Sequence, residues 1–342
     1  MDLELTEEQT LLRESVGELL ARAAADNGLV PEDAGDALWH ELVEFGALDV
    51  ADGDEGLGAV ELALIARSLG ARLAAVPYVD SAALAYVAPG HGRTALCLSE
   101  PGKSFVPAEP SASFESASVT GEKSAVSFAA GVDSLAITAT STSSVVLALV
   151  SPGAAGVSIE PEVTLDPSLQ PALVRLDAVE AEPIAEGPGL VESLAAVAGV
   201  LAAAEAVGAA AAVLDLACAY AAQRRQFGHT IGSFQAIRHL LADMYVKVES
   251  SWSSVLYAAA SLDEREPGSL WTASIAKAYS ARATRDVAHG ALQVFGGIAF
   301  TAEHPAHRFL RRVVVRGVQF GSAREHEQRL GRSLAQGLEV LT

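Results

Sequence analysis

The sequence predicts a three-part α+β chain: an N-terminal helical domain over residues 1–92, a small central β-barrel or sandwich over 93–188, and a C-terminal four-helix bundle over 189–342. Three observations support this. Apolar residues recur at helical spacing before about residue 92 and again after about 190. The stretch between breaks into short runs rich in Val, Ser and Thr, separated by Gly, Pro and Ser. Half of the 342 residues are apolar, aromatics are few and Ala is abundant, which suits helices packed closely around a substantial core.

From Thr6 to about Asp26 the positions Leu11, Leu12, Val16, Leu19 and Leu20 keep a helical period, with Thr6 as its cap. A second helix runs from Pro31 through Trp39 and Leu42. The DGDEGLG segment, Asp52 to Gly58, reads as a turn and not a phosphate cradle, because Asp52, Asp54 and Glu55 repel an anion. A helix from Val60 to Leu69 follows, and the helical stretch ALAYV closes the first domain near Gly92. TALCLSE, SVTGEKSAVSF, SLAITAT and SVVLALVS are β-prone. None leads into a G-x-G-x-x-G helix, so no Rossmann nucleotide site is indicated. Helices are expected over 190–226, 233–261, about 268–295, and after Gly321. Leu194 to Leu214 is nearly uncharged, but its alanines, Gly199, Gly208 and the central Glu205 make it a buried bundle helix, not a membrane span.

With 43 acidic against 23 basic residues the formal net charge is −20, which argues against nucleic acid and anionic membrane as partners. A local group of arginines can still hold an anion. Cys97 and Cys218 read as small core residues in a reducing compartment, and the acidic, amphipathic N-terminus is unlike a signal peptide, so a cytoplasmic location is expected. No metal site is expected: His304 and His307 flank Pro305 with no carboxylate support and read as a solvated turn. Arg308, Arg311, Arg312 and Arg316 fall on one side of a helix and read as a salt-bridged face of an acidic protein.

The stretch from Tyr220 to Met244 forms a helical hairpin in this reading. The first helix stops at Phe227 and Gly228, a turn spans His229 to Gly232, Ser233 caps the second helix, and Phe234, Ile237, Leu241, Met244, Tyr245 and Val248 form its apolar stripe. Arg224, Gln226 and Phe227 stand at the tip, where a guanidinium fork and an amide can grip a phosphate; the local pattern alone favours a plain surface hairpin.

The wording of this stretch, YAAQRRQFGHTIGSFQAIRHLLADM, resembles the R-x-Q-F-G-x-x-I-x-x-F-Q-x-x-x-H-x-L-A-D-M signature of the acyl-CoA dehydrogenase family, and QVFGGIAFTAEHPAHRFLRR resembles a second family segment. The family's three-part layout matches the order read above. The resemblance implies α,β-dehydrogenation of an acyl-CoA thioester, in which a Glu removes the α proton and FAD accepts the β hydride. That Glu stands in one of two places in the family, and these correspond here to Phe320 and Arg225, so no catalytic base is assigned. In the central region Ser99-Glu100-Pro101-Gly102 resembles T-E-P-G, but Lys103-Ser104-Phe105 replaces G-S-D. After Gly121-Glu122-Lys123, which resembles G-T-K, the flavin-facing Trp and Thr of the family's W-I-T fall on Ala125 and Ser127.

What is kept is the half that serves a neighbour's FAD: Arg224, Gln226, Phe227, Gln293, Gly296 and Gly297. The resemblance therefore implies the non-catalytic subunit of a heterotetrameric acyl-CoA dehydrogenase of the steroid side-chain type. It shares FAD with a catalytic acyl-CoA dehydrogenase subunit at their interface, and passes electrons to an electron-transfer flavoprotein or similar acceptor. Two alternatives stay open: a homotetramer with a relocated base, Glu325 or Glu303, and a flavin-free scaffold subunit.

Overall fold

In the computed structural model the first helix begins at its expected cap. Thr6 Oγ1 accepts from Gln9 N at 3.1 Å and Gln9 Oε1 accepts from Thr6 N at 3.0 Å, which satisfies two donors at the start of α1 (Glu7–Ala23). The structure describes residues 3–49, 56–103, 106, 109–142 and 144–335. Helices α2 (Gly35–Glu44), α3 (Ala59–Ala71) and α4 (Tyr78–Val87) complete the first unit. Of the acidic turn, Asp52, Asp54 and Glu55 lie outside the described residues; its last member, Gly58, precedes α3 and donates its N–H to Glu61 Oε2 at 2.9 Å.

The central unit is one eight-stranded sheet: β1 (Thr94–Cys97), β2 (Ser113–Glu115), β3 (Ser118–Val126), β4 (Ser134–Thr140), β5 (Val145–Val150), β6 (Val157–Pro161), β7 (Ala172–Glu180) and β8 (Glu182–Glu186). Its order is β6-β7-β3-β2-β4-β5-β8, with β1 parallel to β4. The β-prone runs of the sequence become β1, β3, β4 and β5. The other strands are short or carry charges on their open face, as Arg175 and Asp177 do in β7. Val119, Leu135, Ile137, Val146 and Val174 fill a core of the sheet's own.

The expected bundle helices are α5 (Leu190–Gln223), α6 (Gln235–Asp263), α7 (Ser269–Phe295) and α9 (Ala323–Ala335), joined by α8 (Ala306–Val318). They share a single apolar core with α1 to α4. The near-uncharged helix α5 runs through that core, and 89% of its most apolar window is buried. From α6, Asp263 accepts from Ala59 N and Val60 N at 2.7 and 3.1 Å, so the bundle caps a helix of the first unit.

The alanines and glycines of α5 let α3 approach closely. A Cβ on Gly208 would lie 1.9 Å from the backbone oxygen of Arg67. Mid-helix, Ala is otherwise favoured over Gly by about 1 kcal/mol. Here the backbone contact decides, and Gly208→Ala is expected to destabilise by about 1–3 kcal/mol, as overpacking does. Thermal denaturation of the two proteins checks this; a raised melting temperature would show that the helices separate without cost.

Several local expectations are corrected. Cys97 is buried, but Cys218 is exposed on α5. Helix α5 ends at Gln223, before Phe227, and the tip is a small ladder of β9 (Arg225–Gln226) and β10 (His229–Thr230). Ser233 does not cap α6: its hydroxyl is spent on Thr230 O at 2.7 Å, and Phe234 takes the cap position. The arginines of α8 do not form one solvated face. Arg308 meets Glu32 at 3.0 Å near the surface, whereas Arg312 and Arg316 are buried.

Candidate functional site

The buried arginines have their partners in all three units. Glu205, in mid-α5 and 3% exposed, binds Arg312 Nη1 through Oε1 at 2.7 Å and Arg316 Nη2 through Oε2 at 2.9 Å. Arg312 also donates Nε to Asp166 Oδ2 at 2.7 Å, Nη2 to Ser168 Oγ at 2.9 Å and Nη1 to Ala74 O at 3.1 Å. Burial opposes the charge on Arg312, but Glu205 and Asp166 outweigh it and hold its pKa up. Arg316 Nη1 donates to Gln319 Oε1 at 2.8 Å, and Gln319 Nε2 donates to Ser127 Oγ at 2.9 Å. One polar chain thus ties the first unit and the bundle to the sheet.

Lys277 lies beside this chain, donating Nζ to Arg316 O at 2.6 Å. Burial, aided by the Arg316 charge, lowers its pKa from 10.5 to about 7. The folded pKa is below the unfolded one, so between about pH 7 and the ordinary lysine range the unfolded chain binds more protons. Stability therefore rises with pH across that window and is reduced in full below it. The melting temperature is expected to climb between about pH 7 and 9, a climb that Lys277→Met flattens. An equal climb in the variant would place its origin elsewhere.

Phe320, at one family base position, is 4% exposed in the turn between α8 and α9. Its carbonyl accepts from His326 Nε2 at 3.1 Å, which places the imidazole proton on that nitrogen. Burial and the Lys277 charge push His326 down to about 4, so the ring is neutral. Gly321 adopts a φ of 105°, and a Cβ there would meet His326 Nε2 at 2.6 Å, so only glycine fits. Glu325, one candidate relocated base, accepts from Ser322 N at 2.8 Å and Ser322 Oγ at 2.7 Å, serving the start of α9. Glu303, the other, is exposed in the turn before α8. Arg225, at the second base position, is exposed and pairs with Thr230 in the tip ladder.

On the sheet side, Glu100 is buried and accepts from Ser111 N at 2.7 Å, Ala112 N at 3.0 Å and Lys123 Nζ at 2.8 Å. The T-E-P-G-like and G-T-K-like segments therefore hold each other. Of their neighbours, Ser104 and Phe105 lie outside the described residues. Ala125, at the family's Trp position, donates its N–H to Glu162 Oε2 at 2.6 Å. Ser127, at the Thr position, receives Gln319, the residue next to Phe320. The family's Thr position and the residue beside its base position are therefore joined by a direct hydrogen bond, and a cavity of about 370 Å³ beside them is lined by Ala125, Ser127, Glu162 and Gln319. The side chains of Ser127 and Gln319 are buried and engaged with each other.

The tip tells the opposite story. Arg224, Gln226 and Phe227 are exposed, Phe227 by 89%, and so are Gln293, Gly296 and Gly297. The rings of Tyr220 and Phe295 meet at 5.4 Å and bind the end of α5 to the end of α7, so both sets stand at one end of the bundle. His304 packs on Phe295 at 4.4 Å. An exposed guanidinium, an amide and open glycine backbone are a donor set that fits a phosphate-bearing group.

The helical unit, sheet and helical bundle in this order make an acyl-CoA dehydrogenase fold. Residues 186–334 match the acyl-CoA dehydrogenase C-terminal domain. It is 36% identical over 173 residues to acyl-CoA dehydrogenase IpdE2 of Mycobacterium tuberculosis; the match covers 51% of this chain and about half, 51%, of that relative's length. The structure resembles a variant of the Tcur3481-Tcur3483 steroid ACAD, with a TM-score of 0.88 and 27% identity over 97% of this chain and 98% of that one. It has the same fold as the ChsE4-ChsE5 complex of Mycobacterium tuberculosis, with a TM-score of 0.85 and 24% identity over 98% of this chain and 99% of that one.

Proposed function

We propose that this chain is a partner-dependent subunit of a heteromeric acyl-CoA dehydrogenase. In this reading it lacks the base and grips, through Arg224, Gln226, Phe227, Gln293, Gly296 and Gly297, the ADP end of FAD held by a catalytic subunit. The hydrogen bond from Gln319 to Ser127 at 2.9 Å carries this reading, because it engages the side chain at the family's Thr position while the neighbour-serving residues stay exposed. FAD, when bound, supplies the hydride acceptor for α,β-dehydrogenation of an acyl-CoA thioester, and electrons leave to an electron-transfer flavoprotein or similar acceptor.

Large apolar side chains exposed on the bundle, among them Tyr245, Val246, Ile275 and Tyr279, support burial against a partner, in a heterotetramer of two such pairs. Likeness to a steroid ACAD favours a steroid side-chain thioester as substrate. Glu325 is already engaged at the start of α9, which speaks against a relocated base there.

Co-expression with a catalytic family member tests the reading. A yellow complex is expected, and Arg224→Ala should weaken its FAD retention about tenfold or more while assembly by size exclusion is unchanged, as loss of a charge-assisted hydrogen bond would do. A colourless complex would favour the flavin-free scaffold instead. Unchanged FAD occupancy in the variant would remove the tip from the cofactor site.

A further inference from the structure

A cavity of about 690 Å³ lies elsewhere, but the more informative one is a groove of about 660 Å³ among α1, α3 and α5. In a chain of net charge −20, its lining brings together Arg13, Arg67 and Arg72 against a single carboxylate, the exposed Asp215. Arg72 is committed, donating Nη1 to Gly28 O at 2.8 Å. Arg67 is not. Its guanidinium lies over the Trp252 ring, 4.3 Å from the centroid, and among the described residues no hydrogen bond or ion pair engages it. Stacking satisfies the face of the guanidinium and leaves its in-plane N–H donors directed elsewhere.

Burial, aided by the Arg13 charge, lowers the Arg67 pKa, and Glu249 and Asp215 only partly restore it. A half-buried cation with unused donors is costly unless an anion meets it. Apart from Asn27 and Ser68 the rest of the lining is apolar, with Leu64 from α3, Ala211 and Ala212 from α5, and Phe309 from α8. The volume falls within the range of about 300–1,000 Å³ found for small-ligand sites.

We propose that this groove is a binding site for a small organic anion with an apolar body, its anionic head on Arg67 and Arg13 and its body along the alanine face of α5. None of the residues of the flavin grip takes part, so the site stands or falls apart from the subunit reading.

Calorimetric titration of the full chain with decanoate, decyl phosphate and decanol tests it. One of the two anions is expected to bind with one-to-one stoichiometry and about tenfold or more tighter than decanol, the tighter one identifying the head group. Arg67→Ala should weaken that binding about tenfold or more. Because loss of Arg67 can disturb α3, Ala212→Phe provides a second arm: it fills the groove from α5, keeps Arg67 and should also abolish binding. Arg13→Ala, on the exposed face of α1, should weaken it several-fold. Decanol binding as tightly as the anions, no binding by either anion at millimolar concentration, or full affinity in both Arg67→Ala and Ala212→Phe would overturn the assignment.

Discussion

Replacing Glu205 with Leu is expected to destabilise the fold by about 3–5 kcal/mol, the usual cost of breaking a buried ion pair from one side. For a protein of this size that is a fall in melting temperature on the order of 10 °C. Both carboxylate oxygens of Glu205 are used, one by Arg312 and one by Arg316, and the two arginines would lose different amounts. Arg312 keeps Asp166, Ser168 and Ala74. Arg316 keeps only its donation to Gln319, and its Nε is already buried without a partner. Most of the loss therefore falls on Arg316, and the double variant Glu205→Leu with Arg316→Met should recover much of it, because an apolar pair of similar volume replaces a desolvated ionic one. Urea denaturation of the single and double variants measures both. A single variant as stable as the parent, or a double variant no better than the single one, would mean that the pair does not hold the units together.

The same residues show how far the sequence could be read. The helices follow from apolar period, since a helix packed on one core must repeat its buried face. Glu205 stood out as a lone charge in an uncharged helix, but a charge in a helix names no partner. Arg312 reads as a surface residue in any local window, because its two carboxylates lie 107 and 146 residues away. The bond from Gln319 to Ser127 spans 192 residues, so nothing near either end announces it. The donor chemistry of the tip was legible because Arg224, Gln226 and Phe227 are adjacent and exposed. Ser233 was misread for the reverse reason: a hydroxyl fits a helix cap or a local turn equally well, and geometry alone chose Thr230.

A carboxylate placed at the family's base position Phe320 is expected not to make the isolated chain an enzyme. A positioned general base is worth about 10²–10⁴ in rate, so Phe320→Glu in a site otherwise intact would raise turnover by that factor. Here the position is 4% exposed, beside a loop whose Gln319 is already bonded to Ser127. A carboxylate placed there is buried, and that burial lowers stability. Phe320→Gln has the same size and burial and serves as the reference for that loss. Both variants alone should lack flavin absorbance and acyl-CoA oxidation with an artificial acceptor. In complex with a catalytic subunit, both should support the turnover per FAD of the parent complex, because the proposed function takes the base and the ring from the partner. Turnover by isolated Phe320→Glu with bound FAD, absent from Phe320→Gln, would show that this chain can build its own flavin site, and the partner-dependent reading would be abandoned.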